Sequence, residues 1–472
     1  MKKLIVLAGI LLVVLLAGIG LAMSLVDREA MTAQLQDELG SALGLEIDFA
    51  KPLHVSVWPA PQIQVNDVSV HQQDERVASA RQAIVRFDWW PLLWGDVQPQ
   101  AVLIDGLELR IERIEQGAFS PAWTGSREGD ETPSLRLPPI SLSDADLRYI
   151  DQPSERQWLL QGCDLEVEEL QHSGGSRDEW LASLAVQGMA HCERVEEDRL
   201  LVTDVRLEVT GRAGELVFES LEGSAFAGEL NGRLDLDLNH QPLQYSLNAG
   251  LDDFSLNEFV TLMQDGQQAS GRMTLSVELT GEGRDWLQWR QSARGELLLQ
   301  ADDVVLHGVD LDAELDDYIA TQRFNLIDVG AVFLAGPVGL AASRGYSFTG
   351  LLQSSGERTP IDAMASDWSI ADGQARARDV ALRTEKSRLA VTGALDFIDY
   401  RFADLRVAVI DVDGCAIVEQ RINGSFDDPD LSRPNVLVTA MGPILDLMER
   451  GLQALDAEAD CEVVYSGRID HP

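Results

Sequence analysis

Four cysteines carry the most definite chemistry in this 472-residue chain, and they fall into two sequence-local pairs, Cys163 with Cys192 and Cys415 with Cys461. In an oxidising compartment an even count points to disulfides. Each closed loop would add about 3–4 kcal/mol on the chain-entropy model. Buried free thiols are the alternative for both pairs. Zinc needs tighter CxxC-type spacing or nearby histidines, and His191 beside Cys192 does not supply them. The histidines at 54, 71, 172, 191, 240, 307 and 471 contain no i, i+4 pair. There is no GxxxxGK[ST] phosphate loop, GxSxG elbow or HExxH helix. Paired carboxylates can perform hydrolysis, yet Asp235 and Asp237, like Asp310 and Asp312, alternate along segments whose polar face reads as solvated. The sequence therefore implies no enzyme, no catalytic residues, no metal and no cofactor. The cluster Trp89, Trp90 and Trp94 is of another kind: amphipathic rings collect where apolar and wet surfaces meet. It marks either a membrane-proximal surface or a corner of a small β-core.

These residues follow an apolar run. Leu4 to Val26 is uninterrupted by charge, with Lys2 and Lys3 before it and Asp27, Arg28 and Glu29 after it. A helix of that length crosses a hydrocarbon core of about 30 Å. The run is longer than the apolar region of a signal peptide, and no cysteine near its end invites lipoprotein processing. The expectation is a single-pass anchor over 1–26, its N-terminus held in the cytoplasm by Lys2 and Lys3 and residues 27–472 exported. The net charge is −41, with 37 basic and 78 acidic side chains, and the only lysines are Lys2, Lys3, Lys51 and Lys386. A phosphate backbone needs clustered Lys and Arg, so nucleic acid is excluded as a partner. High net charge serves solubility, and it repels anionic headgroups. Lipid handled by such a domain would be enclosed rather than lain upon.

Beyond Ser24–Leu43, which can continue as a helix with Met31, Leu35 and Leu39 on one stripe, the pattern has period two. Val55 and Val57, Ile63 and Val65, then Leu107, Leu109 and Ile111 alternate with polar residues, as do later segments such as Val205-Leu207-Val209 and Leu405-Val407-Val409. Such alternation predicts strands with one apolar face. Helices are expected over Asp253–Met263, capped by Ser255 with Glu258 three residues on, and over Pro443–Ala459. Residues 124–139 read as a flexible loop between an N-terminal unit, 27–123, and a β-rich body, 140–472. The strands fit either one elongated antiparallel sheet curled around its apolar face or ordinary β-sandwiches. The alternation leaves both open.

Several segments resemble the AsmA family of bacterial envelope proteins. FAKPLHVSVWPAPQIQVNDVSV (49–70) is similar to its strand–Pro–strand signature, and VRFDWWPLLWGDV (85–97) to its Trp-Pro-Leu-Leu motif. VLIDGLELRIER with Gly117 and Trp123, RGELLLQADDVVLHGVDLDAEL (294–315), and WSIADGQARARDVALRTEKSRLAVTGALDF (368–397) resemble later parts of it. Asp302-Asp303 departs from the family's more usual Asp-Gly turn. The ending from Gly414-Cys415 through Cys461 to Pro472 resembles one subgroup, which favours pairing Cys415 with Cys461. The resemblance implies a mainly β fold: one N-terminal transmembrane helix, then an elongated, curled, taco-like antiparallel sheet with an apolar groove and a few short helices, its first unit chorein-like. It implies a non-enzymatic inner-membrane protein with its bulk in the periplasm. The implied role is handling phospholipid or another envelope lipid, or supporting outer-membrane biogenesis with outer-membrane assembly proteins as partners. A membrane-anchored scaffold without a lipid groove is the alternative.

Overall fold

The computed structural model describes position 36 and residues 45–72, 75–94, 96–114, 119–120, 134–174, 182–263, 269–283, 286–308, 310–313, 315, 358–426, 428–432, 435–436 and 463–472. The expected anchor, with Lys2, Lys3, Leu4 and Val26, lies outside the described residues, as do Cys461 and the helix expected over 443–459. Among the described residues, no helix is long and apolar enough to cross a membrane. The chain forms two compact units, 1–214 and 215–472.

In unit 1 the strands are β1 (Glu46–Phe49), β2 (His54–Ser56), β3 (Gln62–Gln72), β4 (Glu75–Phe87), β5 (Pro99–Arg113), β6 (Phe119–Ser120), β7 (Leu135–Leu137), β8 (Ile140–Asp151), β9 (Arg156–His172), β10 (Leu184–Glu197) and β11 (Leu200–Arg212). A one-turn helix α1 (Trp89–Leu92) lies between β4 and β5. β1 and β2 share the outer edge of β3, and the sheet continues through β4, β5, β8, β9, β10 and β11. All these pairs are antiparallel except β5 with β8, which run parallel. The antiparallel sheet that the sequence leads one to expect thus contains one parallel pair. A parallel pair needs a long connection, and in sequence residues 114–139 separate β5 from β8. The segment read as a loop over 124–139 also contains strand β7, which pairs with the end of β9. β7 and β8 are separated only by Pro138-Pro139, which have no N–H to give the ladder.

Unit 2 is an antiparallel meander in chain order: β12 (Glu215–Ala225), β13 (Gly228–Asp237), β14 (Gln244–Ser255), β15 (Ala269–Glu282), β16 (Arg294–His307), β17 (Arg358–Ala371), β18 (Gln374–Arg383), β19 (Arg388–Asp396), β20 (Arg401–Ile410) and β21 (Ala416–Ser425). Two short strands, β22 (Pro429–Leu431) and β23 (Asn435–Val436), edge β21. Helix α2 (Leu256–Met263) begins where the capping signal lies, Ser255 Oγ accepting from Glu258 N at 3.4 Å. Helix α3 (Trp286–Ser292) precedes β16. The Asp372-Gly373 hairpin has both residues at positive φ, the conformation that a two-residue turn matching strand twist requires. Each unit is thus an open, curled, mainly β sheet, and among the described residues neither unit shows the two packed sheets that the alternation also allowed.

Candidate functional site

Cross-strand register shows what the period-two pattern builds in unit 1. Directly paired residues share a face of a sheet. Val55 pairs with Ile63, Ile63 with Val85, Val85 with Val102, Val102 with Ile140, and Ile140 with Val167. A second row runs from Val65 through Ala83, Ile104, Leu142, Leu165 and Ala190 to Leu207. Another runs from Ile47 through Val70, Ala78, Leu109, Leu147, Leu160 and Val195 to Val202. Between the last two lie Phe49, Val68, Ala80 and Leu107 on one side, and Ala145, Cys163, Cys192 and Val205 on the other. Ile111 starts a further row with Tyr149 and Trp158, whose rings sit 5.4 Å apart. Val57 falls just beyond β2. These apolar side chains are mostly half-buried, neither sealed in a core nor free in water. A sandwich would have closed over them.

The rows step by two residues except at a line of bulges. There a residue in left-handed conformation is inserted: Asp67 in β3, Gly106 in β5, Asp144 in β8, Gly162 in β9 and Asp204 in β11. Bulges keep the apolar residues on one face while bending the strand and increasing its twist. Asp and Gly tolerate positive φ. The opposite face is charged there. Arg81 spans Asp105 and Asp144 at 3.1 and 2.7 Å. His191 bonds Asp204 at 2.8 Å, and this bond, with Arg206 beside it, holds the Asp204 carboxyl below its ordinary value. Apolar residues also stand on this side, among them the paired Ile84 and Leu103, and Ile150, Leu159, Met189 and Leu201, whose direct partners are charged or polar.

A disulfide joins Cys163 to Cys192, direct partners across β9 and β10 with Cα atoms 4.0 Å apart. It lies on the apolar face, within the rows. Cys415 is also disulfide-bonded, and its expected partner Cys461 lies outside the described residues. Trp89 and Trp90 sit in α1 and Trp94 just after it, all exposed. They form no core corner.

Unit 2 carries its own rows. Phe254 pairs with Met273, then the row passes Ala301, Met364, Leu382, Leu389 and Val409 to Val418. From β16 to β21 these side chains are buried. The reverse face of the same strands is a row of alanines, Ala365, Ala381, Ala390 and Ala408, each paired with the next. Tyr465 and Ile469 of the C-terminal segment pack on it. The segment is held at one end by backbone bonds from Val464 and Tyr465 to Gly414 O. Further along, Tyr465 donates to Asp379 at 2.5 Å and Arg468 Nε at 2.8 Å, while Arg388 donates to Ile469 O at 3.0 Å. Burial pushes the Asp379 carboxyl up, but Tyr465 and Arg468 together hold it below its ordinary value. Asp312, expected to be solvated, is buried and accepts from Thr384 Oγ1 at 2.6 Å. Among the described residues no cluster of His, Cys, Asp and Glu is arranged to hold a metal ion.

A model of the AsmA family matches residues 1–184 and 175–380. The chain belongs to the AsmA family. No match was found among curated proteins or among solved structures. AsmA membership suggests an envelope protein, and the described sheets supply the β-groove wall on which any finer reading must rest.

Proposed function

We propose that this AsmA protein handles lipid without catalysing a reaction, shielding acyl chains on the apolar face of its curled sheet while headgroups stay in water. The observation that carries this is the set of half-buried apolar rows in unit 1, continuous from β2 to β11 and backed by a charged face. Sequestering acyl chains there gains about 25 cal/mol per Å² of apolar area removed from water, and no chemical step is required. In this reading Leu4–Val26 anchors the protein in the bacterial inner membrane, the body is periplasmic, and the role is in outer-membrane biogenesis. The test is mass spectrometry of an organic extract of the purified full chain. Co-purified phospholipid at a fixed ratio is expected, and a lipid-free extract from folded protein overturns the groove.

A second reading, a scaffold that modulates outer-membrane protein assembly without lipid, is favoured by one observation: β17–β21 are buried on both faces. It predicts stable protein crosslinks and no lipid in the same extract.

A further inference from the structure

Two loops of unit 1 come together at one end of its sheet. One joins β2 to β3 and holds Trp58. The other joins β4 to β5 and holds α1. Phe87 N donates to Pro61 O at 2.9 Å, which makes the loops neighbours, and Asp88 N donates to Gln98 O at 3.2 Å, which closes the base of the second loop. Their large apolar side chains point into water: Trp58 is 81% exposed, Trp94 78%, Trp90 73%, Leu93 64% and Val97 62%. An apolar cluster built from two loops is not scattered surface hydrophobicity and marks an interaction site.

The residue types favour a bilayer interface over a protein pocket. Indole rings settle at headgroup level, where one end is apolar and the N–H stays wet. Eighteen residues, 27–44, separate the apolar run Leu4–Val26 from Leu45, and a chain of that length spans up to about 60 Å when extended, more than the length of β3 that lies between β1 and the tip. The first apolar row, Val55–Ile63–Val85–Val102, ends beside the same loops. Charge sets the lipid class: Asp88 and Asp96 flank the rings and the whole chain carries −41, which disfavours an anionic surface.

We propose that Trp58, Trp90, Leu93, Trp94 and Val97 form a tip that inserts into the interfacial zone of a zwitterionic bilayer. This goes beyond the groove reading and does not depend on it, because insertion can be measured whether or not lipid is bound along the sheet. The test places a nitroxide at Leu93→Cys in the full chain, reconstituted in phosphatidylethanolamine–phosphatidylcholine nanodiscs. A label at Val412→Cys, an exposed site in unit 2, is the aqueous control. The Leu93 label is expected to collide several-fold less with a water-soluble nickel chelate than the control does, and more with oxygen. Adding Trp58→Ser and Trp94→Ser should erase at least half of that difference, and replacing part of the lipid with phosphatidylglycerol should reduce it. Nickel access equal to the control overturns the proposal. So does a label shielded from both probes, which reports protein packing, and so does deeper insertion with anionic lipid.

Discussion

Replacing Leu165 by glutamate tests the groove at its centre. Leu165 lies mid-row on the unit 1 apolar face, with Leu142 and Ala190 as direct partners. It is half-buried, so a carboxylate there keeps access to water and the fold loses only about 1 kcal/mol, the span of strand propensities. A bound acyl chain fares worse. About four methylenes lie over one strand spacing of about 4.8 Å, and losing their burial at about 0.8 kcal/mol each costs about 3 kcal/mol. That is about a 100-fold loss of affinity. The assay is phospholipid per protein in organic extracts, with circular dichroism to verify the fold. Thr210→Glu, on the exposed opposite face of β11 and paired with the neutral Gln187, should leave the lipid ratio unchanged. Wild-type lipid in a folded Leu165→Glu variant, or equal loss in Thr210→Glu, would refute the reasoning.

Other perturbations read the same structure. Tyr465→Phe removes a donor to Asp379 and the acceptor of Ile469 N; hydrogen exchange in β18 and β19 should show about 1.5–3 kcal/mol of lost local stability at pH 7. Asp379 has a depressed pKa in the folded state, so its contribution is present above the unfolded value near 3.8 and is lost as pH falls through the lower folded value. The Tyr465→Phe deficit should therefore shrink below about pH 4, and a deficit that is constant down to pH 2 would contradict this assignment. Gly414→Ala places a Cβ 2.0 Å from Tyr465 O at a positive φ, so proteolysis should release the C-terminal segment faster than in wild type. Asp144→Val puts a β-branched residue in left-handed conformation and should cost about 1–3 kcal/mol, read from urea unfolding. Cys163→Ser with Cys192→Ser opens a cross-link of sequence separation 29 and should lower unit 1 stability by about 3–4 kcal/mol, read the same way.

The strands were legible because period two survives in segments such as Leu107-x-Leu109-x-Ile111, and register then follows from keeping those residues on one face. The Ser255–Glu258 cap was legible because a helix start has local chemistry. The bulges left a trace too, a slip of one residue at Asn66-Asp67, Asp105-Gly106 and Thr203-Asp204, visible once the partner strand is known. The parallel β5–β8 pair was not legible, since neither strand differs in pattern from its antiparallel neighbours. The docking of Tyr465 on four alanines was hidden for the opposite reason: small residues on a second face carry no strong hydropathy signal until something packs there. Trp58 is not legible as part of the aromatic cluster, because its loop joins that cluster in space only.

The parallel seam between β5 and β8 also governs how unit 1 can be assembled and resized. In a meander each strand completes its edge as soon as it is made, so contacts stay local, and inserting one hairpin adds two strands without reversing any existing face. β8 must instead find β5 across residues 114–139, a non-local closure of the sort that slows folding. An insertion at that junction would have to preserve both the crossover and the register of a strand already flanked by β4. Growth of the sheet is therefore modular along its antiparallel stretches and pinned at one joint.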